Sequence, residues 1–208
     1  MKPLPAHITT VSGSIEFRLK EKGSLFIAEV FHVEMETDVH EILIKIRKKY
    51  YDSTHNCYAY KFADESFKYS DDGEPSGTAG IRILNAINHE NLFNVLVIVT
   101  RYFGGTKLGI GPLGKAYYEA AVETLIKIDK KSQQLHTKTT IKYDYEFSNL
   151  VHRLISNFSA KIEKTNFDGT PNISCLIPTE SIEQFAKELE LGSLSKIKVE
   201  VSNLNEYI

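Results

Sequence analysis

The stretch that decides the fold is NVLVIVTRYFGGTKLGIG, residues 94–111. Its first part, Asn94 to Thr100, is a valine-rich run typical of a β-strand that is buried on both faces. A glycine-rich loop follows. Apolar residues then recur at helical spacing from about Pro112 to Ile128, and proline suits the first turn of a helix. The segment therefore predicts a strand, a glycine-rich loop and a helix in succession.

On the N-terminal side, two β-rich stretches, Ile8 to Leu19 and Ser24 to Val33, flank the turn-forming residues 20–23 and predict a hairpin. Thr37 or Asp38 is expected to cap the next helix, whose apolar residues share one face. These apolar residues are Val39, Ile42, Leu43 and Ile46.

His55 to Phe62 has the alternating pattern expected of a strand. The segment that follows is polar and rich in turn-forming residues. A second helix is expected to begin near Ser76, because Ile83, Leu84 and Ile87 have helical spacing.

Residues 130–134 have the composition of a short polar linker. Beyond them the pattern predicts the order β, α, β, β, α, β of a ferredoxin-like unit. The predicted elements are a strand over Thr139 to Glu146, a helix with Leu150, Val151, Leu154, Ile155 and Phe158 inward, strands over 160–166 and 172–177 joined by Asp168-Gly169, a helix capped by Thr179 and a strand over Ser195 to Val201. We therefore expect an α+β chain with domains 1–134 and 135–208.

The composition sets limits on location and partners. The chain has 208 residues, with 25 Lys and Arg against 27 Asp and Glu, so its net charge of −2 predicts no binding to nucleic acid or membranes through bulk charge. Cys57 and Cys175 lie too far apart for a metal-ligand motif and suit a reducing compartment. The N-terminus has no apolar signal core, and the apolar runs are too short to span a bilayer, so a cytoplasmic protein is expected.

Three segments could carry chemistry: HNCYAY at 55–60, SDDGEPSGTAG at 70–80 and TRYFGGTKLGIG at 100–111. In this order and spacing they resemble the signature of the IMPACT/YigZ family. The resemblance implies a first domain like the second domain of ribosomal protein S5 and a tail similar to the last domain of elongation factor G. It also implies a link to translation, since eukaryotic relatives compete for an activator of the kinase that phosphorylates an initiation factor.

The glycine-rich loop has the chemistry of an anion site, because a loop between strand and helix can direct free N–H groups and a helix dipole at a phosphate. It contains neither a Walker motif nor the dinucleotide fingerprint. In the structural alternative, Arg101 pairs with Asp71 or Asp72 and the glycines only permit a tight crossover. The candidate residues are Arg101, Tyr102, Gly104, Gly105, Lys107, Gly109, Gly111 and Lys115.

The acidic loop could bind Mg²⁺, cap helix starts or bind a partner. Neighbouring residues of an extended chain face opposite ways, so a metal site formed by Asp71 and Asp72 would require a turn. The structural or partner-binding interpretation is preferred. The candidate residues are Ser70, Asp71, Asp72, Gly73, Glu74, Ser76, Gly77 and Thr78.

His55 and Cys57 lie two apart on a predicted strand and share a face, with Tyr58 and Tyr60 on the other. A Cys–His nucleophile is conceivable, although a buried cysteine is more often inert packing. His55 can instead anchor the two loops by hydrogen bonds. The aromatic residues, which also include Tyr102 and Phe103, are expected in the core but would stack on bases if exposed.

The favoured hypothesis is a translation-linked binding protein that recognises RNA phosphate, the ribosome or a protein of the translation machinery. No cofactor, metal or catalytic residue is expected for it. The rival hypothesis is a small enzyme acting on a phosphorylated metabolite or nucleotide, with Arg101 and Lys107 holding phosphate and Asp71, Asp72 or His55 moving protons or binding Mg²⁺. A pure protein-interaction module is a third possibility.

Overall fold

The computed structural model describes residues 3–167 and 169–208. They divide into two units, one made mainly of residues 8–132 and the other of residues 4–7 and 133–208. Each unit contains helices and antiparallel strands, which confirms the expected α+β class. That domains 1–134 and 135–208 fold separately stays a prediction.

A five-stranded antiparallel sheet forms the centre of the first unit, in the order β2-β3-β6-β4-β5. The elements up to residue 129 are β1 (His7–Val11), β2 (Ile15–Glu21), β3 (Ser24–His32), α1 (Glu36–Lys49), β4 (His55–Lys61), β5 (Phe67–Ser70), α2 (Gly80–His89), β6 (Val95–Tyr102) and α3 (Ile110–Lys127). The predicted hairpin is confirmed as β2–β3, although the predicted stretch Ile8 to Leu19 is divided between β1 and β2. The turn residues Lys22 and Gly23 have φ angles of 44° and 82°.

The middle strand β6 contributes to two cores, one on each face of the sheet. Val95, Val97 and Val99 pack in the core that contains residues of α2 and α3. Leu96 and Ile98 pack in the core that contains residues of α1. The prediction of a strand buried on both faces is therefore confirmed, and the side chain of each β6 residue is assigned to a face by its position along the strand.

The two helices predicted before β6 begin elsewhere than expected. Met35 is the N-cap of α1, and the Asp38 carboxylate accepts the N–H groups of Glu34 at 2.8 Å and Met35 at 3.1 Å from the third helical position. Helix α2 begins at Gly80 rather than near Ser76, because the preceding residues form an ordered loop. Strand β5 was not predicted, because it has only four residues, which are largely exposed and lie within a polar, turn-rich segment.

The second unit has the predicted order β, α, β, β, α, β. Its elements are β7 (Lys130–Lys142), α4 (Ser148–Asn157), β8 (Lys161–Phe167), β9 (Pro171–Pro178), α5 (Ile182–Gly192) and β10 (Val199–Tyr207). Antiparallel pairing gives the order β10-β7-β9-β8. Residues 4–7 join this unit through hydrogen bonds from Leu135 N–H to Ala6 O at 2.8 Å and from Tyr207 Oη–H to Pro5 O at 2.7 Å.

Four details of the second unit differ from the sequence-based predictions. Residues 130–134 are not a linker but the start of β7, where the Gln134 N–H donates to Ile208 O at 2.9 Å. Residues 145–147 form a 3-10 turn rather than the end of a strand. Thr179 lies in another 3-10 turn, so Ser181 is the N-cap of α5, and the last strand begins four residues later than expected. Asp168 of the predicted turn lies outside the described residues.

Among the described residues, no helix has the length and apolar character needed to cross a bilayer.

Candidate functional site

The structure brings the three polar segments of the first unit together. His55 on β4 is the register partner of Arg101 on β6. The loop between β5 and α2 lies against both: His55 Nδ1 lies 2.8 Å from Asp72 O, and Nε2 lies 3.8 Å from Glu74 Oε2. His55 thus anchors the acidic loop, which is the structural role that its sequence position suggested.

The Arg101 side chain is buried and its charge is paired inside the molecule. One terminal nitrogen donates to Glu74 Oε1 at 2.7 Å and the other to Ser24 Oγ at 3.2 Å. The expected partner, Asp71 or Asp72, was wrong. As an odd-numbered residue of β6, Arg101 points to the same face as Val99, and there it meets Glu74.

The Glu74 carboxylate also accepts a hydrogen bond from Tyr117 Oη–H of α3 at 2.8 Å. Its side chain is only 3% exposed, so the carboxylate is held by an arginine and a tyrosine in a nearly dry environment. Sequence reasoning missed the roles of Tyr117 and Ser24. A signal existed for the tyrosine, because a hydroxyl on the buried face of a predicted helix requires a polar partner.

The Asp71 carboxylate caps the start of α2. It accepts the N–H groups of Gly77 at 2.9 Å, Ala79 at 2.9 Å and Gly80 at 2.8 Å. A Cβ added to Gly80 would lie 2.8 Å from backbone atoms of Ser70, so glycine is required where the chain passes this close. The capping interpretation of the acidic loop is therefore confirmed, and these N–H groups are used within the protein.

The Asp72 carboxylate points the other way, toward β4. It accepts the Asn56 N–H at 2.6 Å and lies 3.4 Å from a terminal nitrogen of Arg47. Asp72 and Gly73 have φ angles of 42° and 89°, which turn the chain between the two carboxylates. Within residues 3–167 and 169–208, no group of three His, Cys, Asp or Glu side chains has the arrangement of a metal site.

The remaining loop residues support this turn. Ser70 Oγ accepts the Asp72 N–H at 3.2 Å, and Thr78 Oγ1 donates to Pro75 O. Ser76 is exposed and Gly77 is half-buried with φ of 76°.

Cys57 is fully buried beneath this loop. Its Sγ lies 3.0 Å from Asp71 O and 3.3 Å from Tyr117 Oη. Burial raises the pKa of the thiol far above its ordinary value, and the nearby carboxylates raise it further. The thiolate form is therefore disfavoured, which supports the interpretation of Cys57 as packing rather than as a nucleophile.

The glycine-rich loop, defined here as residues 103–109 together with the first two residues of α3, is fixed at its start. The Phe103 N–H donates to Thr54 Oγ1 at 2.9 Å, and the Gly104 N–H donates to Ser24 Oγ at 3.2 Å. A Cβ added to Gly104 would lie 1.9 Å from the carbonyl carbon of Gly23, so the loop and the turn of the β2–β3 hairpin are in backbone contact.

The rest of the glycine-rich loop is open. No hydrogen-bond partner for the N–H groups from Gly105 to Gly111 occurs in the described part of the chain. Gly105 and Gly109 have φ angles of 84° and 83°, which favour glycine. Lys107 is exposed within this stretch and has no ion-pair partner among the described residues.

A groove of about 320 Å³ lies beside the start of α3. Lys22 and Lys115 contribute positive charges to it, and Glu21 and Glu119 contribute negative ones. The groove is therefore balanced in charge rather than electropositive. Its lining comprises Leu19, Glu21, Lys22, Gly111, Pro112, Lys115, Ala116 and Glu119.

The four aromatic residues that sequence reasoning singled out have different environments. Tyr60 is buried, and Tyr58 and Tyr102 are half-buried against the α1 core, as expected for core residues. The Tyr102 hydroxyl donates to Asp52 Oδ1 at 2.9 Å. Phe103 is 47% exposed, so it does not belong to the core.

The candidate site therefore has a buried part and an exposed part. His55, Asp71, Asp72, Glu74 and Arg101 form hydrogen bonds or ion pairs with other groups of the protein. The exposed part is the glycine-rich loop with Lys107, followed by Lys115 on the first turns of α3.

Comparison of the sequence with known proteins identifies a family. A sequence profile of the Impact N-terminal domain matches residues 22–125, which contain all three polar segments. The IMPACT family member YvyE of Bacillus subtilis is 30% identical over 196 residues, covering 93% of this chain and 86% of YvyE. An IMPACT family member of Haemophilus influenzae is 29% identical over 197 residues, covering 93% of this chain and 96% of that protein.

A solved structure titled "Crystal structure of an hypothetical protein" superimposes with a TM-score of 0.71 at 23% identity, covering 94% of this chain and 97% of that one. This likeness concerns the fold alone. The profile and the YvyE alignment extend over the segments that first suggested the resemblance, and on that evidence the chain belongs to the IMPACT family.

Proposed function

We propose that this chain is a translation-linked binding protein whose first unit recognises RNA phosphate through the glycine-rich loop. One observation carries the proposal: the N–H groups of residues 105–111 and the ammonium groups of Lys107 and Lys115 have no partner in the described chain. Unpartnered amides before a helix, with cations beside them, match the donors that a phosphate accepts.

The buried part of the site is assigned a positioning role. Arg101 holds Glu74 and Ser24, and Ser24 Oγ in turn accepts the N–H of Gly104. The loop is thus held at its start before any ligand arrives, which lowers the entropy cost of binding. Phosphate would contact the loop and its lysines rather than Arg101.

The translation link rests on the family resemblance. The likeness of the first unit to the second domain of ribosomal protein S5, and of the second unit to the ferredoxin-like last domain of elongation factor G, belongs to the same proposal. The strand order β10-β7-β9-β8 supports the ferredoxin-like assignment. Ribosomal RNA is then the preferred source of the phosphate, and a protein partner is the alternative outcome of the test.

The rival enzyme hypothesis is not advanced, because the groups that it requires, apart from Lys107, are engaged within the protein. Asp71 accepts three backbone N–H groups, Asp72 accepts another, and Arg101 pairs with Glu74. The two carboxylates and the terminal nitrogens of Arg101 are therefore occupied. The Nε of Arg101 has no hydrogen-bond partner among the described residues, but it is buried and closed to a ligand.

Binding to ribosomes and to protein-free ribosomal RNA across a salt series tests the proposal. We expect the double substitution Lys107→Ala/Lys115→Ala to weaken RNA binding at low salt. It should also reduce the slope of log K against log salt by roughly 0.7–0.9 for each phosphate that the variant no longer neutralises, because fewer counterions are released.

The matched control is Lys45→Ala/Lys48→Ala, which removes the same charge from exposed positions of α1, on the other side of the sheet. An equal loss from both double variants would show that only total charge matters. Absence of wild-type binding at low salt would overturn the RNA proposal. Binding to ribosomes but not to protein-free RNA would assign the surface to a protein partner.

A further inference from the structure

We infer that Phe103 is a stacking platform for an unpaired nucleobase, so that the RNA recognised by this chain is single-stranded at the glycine-rich loop. The inference rests on the proposed function and makes it more specific. It starts from an apolar ring that the fold fixes in place and leaves open to solvent.

The backbone of Phe103 is hydrogen-bonded to neighbouring segments although its ring is exposed. Its N–H donates to Thr54 Oγ1 at 2.9 Å, and the next N–H, that of Gly104, donates to Ser24 Oγ at 3.2 Å. The ring is nevertheless 47% exposed. Because the backbone of Phe103 is already held and its ring is half exposed, a flat ligand can cover the ring with little additional loss of conformational entropy.

The ring of Phe103 is the outermost of a series of contacts that extends into the core. The Arg101 guanidinium carbon lies 5.6 Å from the centroid of Phe103 and 5.4 Å from that of Phe26. Phe26 in turn meets Tyr117 edge-on, with centroids 5.1 Å apart. Because Arg101 is held by Glu74, the guanidinium supports the ring from within the protein. A base on the exposed side would extend this series by one planar group.

The surroundings of Phe103 favour nucleic acid over an apolar partner. Tyr51 is 85% exposed and immediately precedes Asp52, which accepts the Tyr102 hydroxyl at 2.9 Å. A second exposed aromatic residue therefore lies on the segment that contacts the end of β6. Lys107 follows Phe103 after three residues, so a cation and unpartnered N–H groups lie in the same loop as the ring. Aromatic faces beside phosphate-binding donors are the pattern of single-strand recognition.

A duplex would not use this surface, because its bases are already stacked on one another and present only their edges. Bases of single strands, loops and bulges are free to stack on aromatic side chains. The stacking platform therefore predicts a preference for single-stranded over duplex RNA, which phosphate contacts alone would not produce.

The test measures Phe103→Leu and Phe103→Tyr against a single-stranded RNA oligonucleotide and a duplex of equal length. We expect Phe103→Leu to weaken single-strand binding by roughly 5- to 150-fold, the effect of losing one stacked base, and Phe103→Tyr to preserve it. Duplex binding should not change. Phe67→Leu is the matched control, since Phe67 on β5 is 57% exposed. Its substitution should change neither affinity.

A fluorescence measurement gives an independent readout. The chain contains no tryptophan, so Phe103→Trp and Phe67→Trp each introduce a single indole. Single-stranded RNA should quench the emission of the Phe103→Trp protein only.

Equal single-strand affinity of Phe103→Leu and wild type, or no quenching of Phe103→Trp at saturating RNA, would overturn the platform while leaving the phosphate proposal intact. Failure of the wild type to bind any RNA would overturn both. Retained binding with an unchanged salt slope in Lys107→Ala/Lys115→Ala would count against the loop proposal alone.

Discussion

Arg101 and Glu74 form an ion pair whose side chains are 6% and 3% exposed. Withdrawing both charges from water costs several kcal/mol, so such a pair is weak evidence for net stability. The hydrogen bonds from Tyr117 and to Ser24 offset part of that cost. We attribute to the pair a role in fixing where the glycine-rich loop begins, because Ser24 also holds Gly104.

Arg101→Ala should lower the free energy of unfolding by about 3–5 kcal/mol, because it leaves the Glu74 carboxylate buried without its cation. Urea denaturation followed by circular dichroism measures this. Arg47→Ala is the control: Arg47 lies 3.4 Å from Asp72 but is 55% exposed, so its loss should cost at most about 1 kcal/mol.

The double substitution Arg101→Met/Glu74→Leu decides the interpretation. If uncompensated charge causes the loss, the double variant should be more stable than Arg101→Ala. A double variant as unstable as the single one would show that packing around Arg101 matters instead.

At the scale of elements, helix α2 depends on a cap that lies outside its own sequence. Asp71 precedes the helix by nine residues and still accepts the N–H groups of Ala79 and Gly80 at its start. The acidic loop and α2 are therefore expected to lose order together.

Asp71→Ala should destabilise the protein by about 2 kcal/mol, since loss of a capping side chain costs roughly 0.5–2 kcal/mol and charged acceptors lie at the upper end. Hydrogen exchange should show faster exchange at the start of α2. Asp64→Ala is the control, because Asp64 accepts the Ser66 N–H at 2.9 Å in an exposed turn and caps no helix. Unchanged protection of α2 in Asp71→Ala would contradict the capping role.

The elements that the sequence predicted well have strong apolar patterns. Strand β6 and helix α3 are examples, because every core residue of each repeats at the spacing of its own structure. The errors occur where the secondary structure depends on contacts with residues that are distant in the sequence. Residues 130–134 are polar, yet they form a strand because Gln134 pairs with Ile208.

The candidate site shows the same division. The sequence singled out the three polar segments, and in the structure they lie together. The partner of Arg101 was not predictable, because neighbouring acidic residues differ only in which way a turn directs them. Asp71 faces α2, Asp72 faces β4 and Glu74 faces Arg101.

At the scale of the whole molecule, each unit has apolar cores of its own. The two cores of the first unit and the core of the second have no residue in common. Shared cores are the main source of cooperative unfolding, so the units are expected to unfold as separate cooperative blocks.

Ile83→Ala and Leu154→Ala test this expectation. Both side chains are buried, at 0% and 3% exposure, and each substitution should cost about 2–5 kcal/mol in its own unit. Hydrogen exchange with mass spectrometry should show lost protection in the first unit for Ile83→Ala and in the second for Leu154→Ala. Equal losses in both units from either variant would show that the chain unfolds as one block.

Because β6 is buried on both faces, the face that each side chain occupies depends on whether its position along the strand is odd or even. Replacing one apolar residue alters the packing on one face of the sheet. Deleting one residue would move the side chain of every later residue of the strand to the opposite face. Arg101 would then turn toward α1, away from Glu74, and the loop that follows would lose its attachment. Insertions and deletions within β6 should therefore abolish folding and ligand recognition in the same step, whereas changes of side chain separate the two.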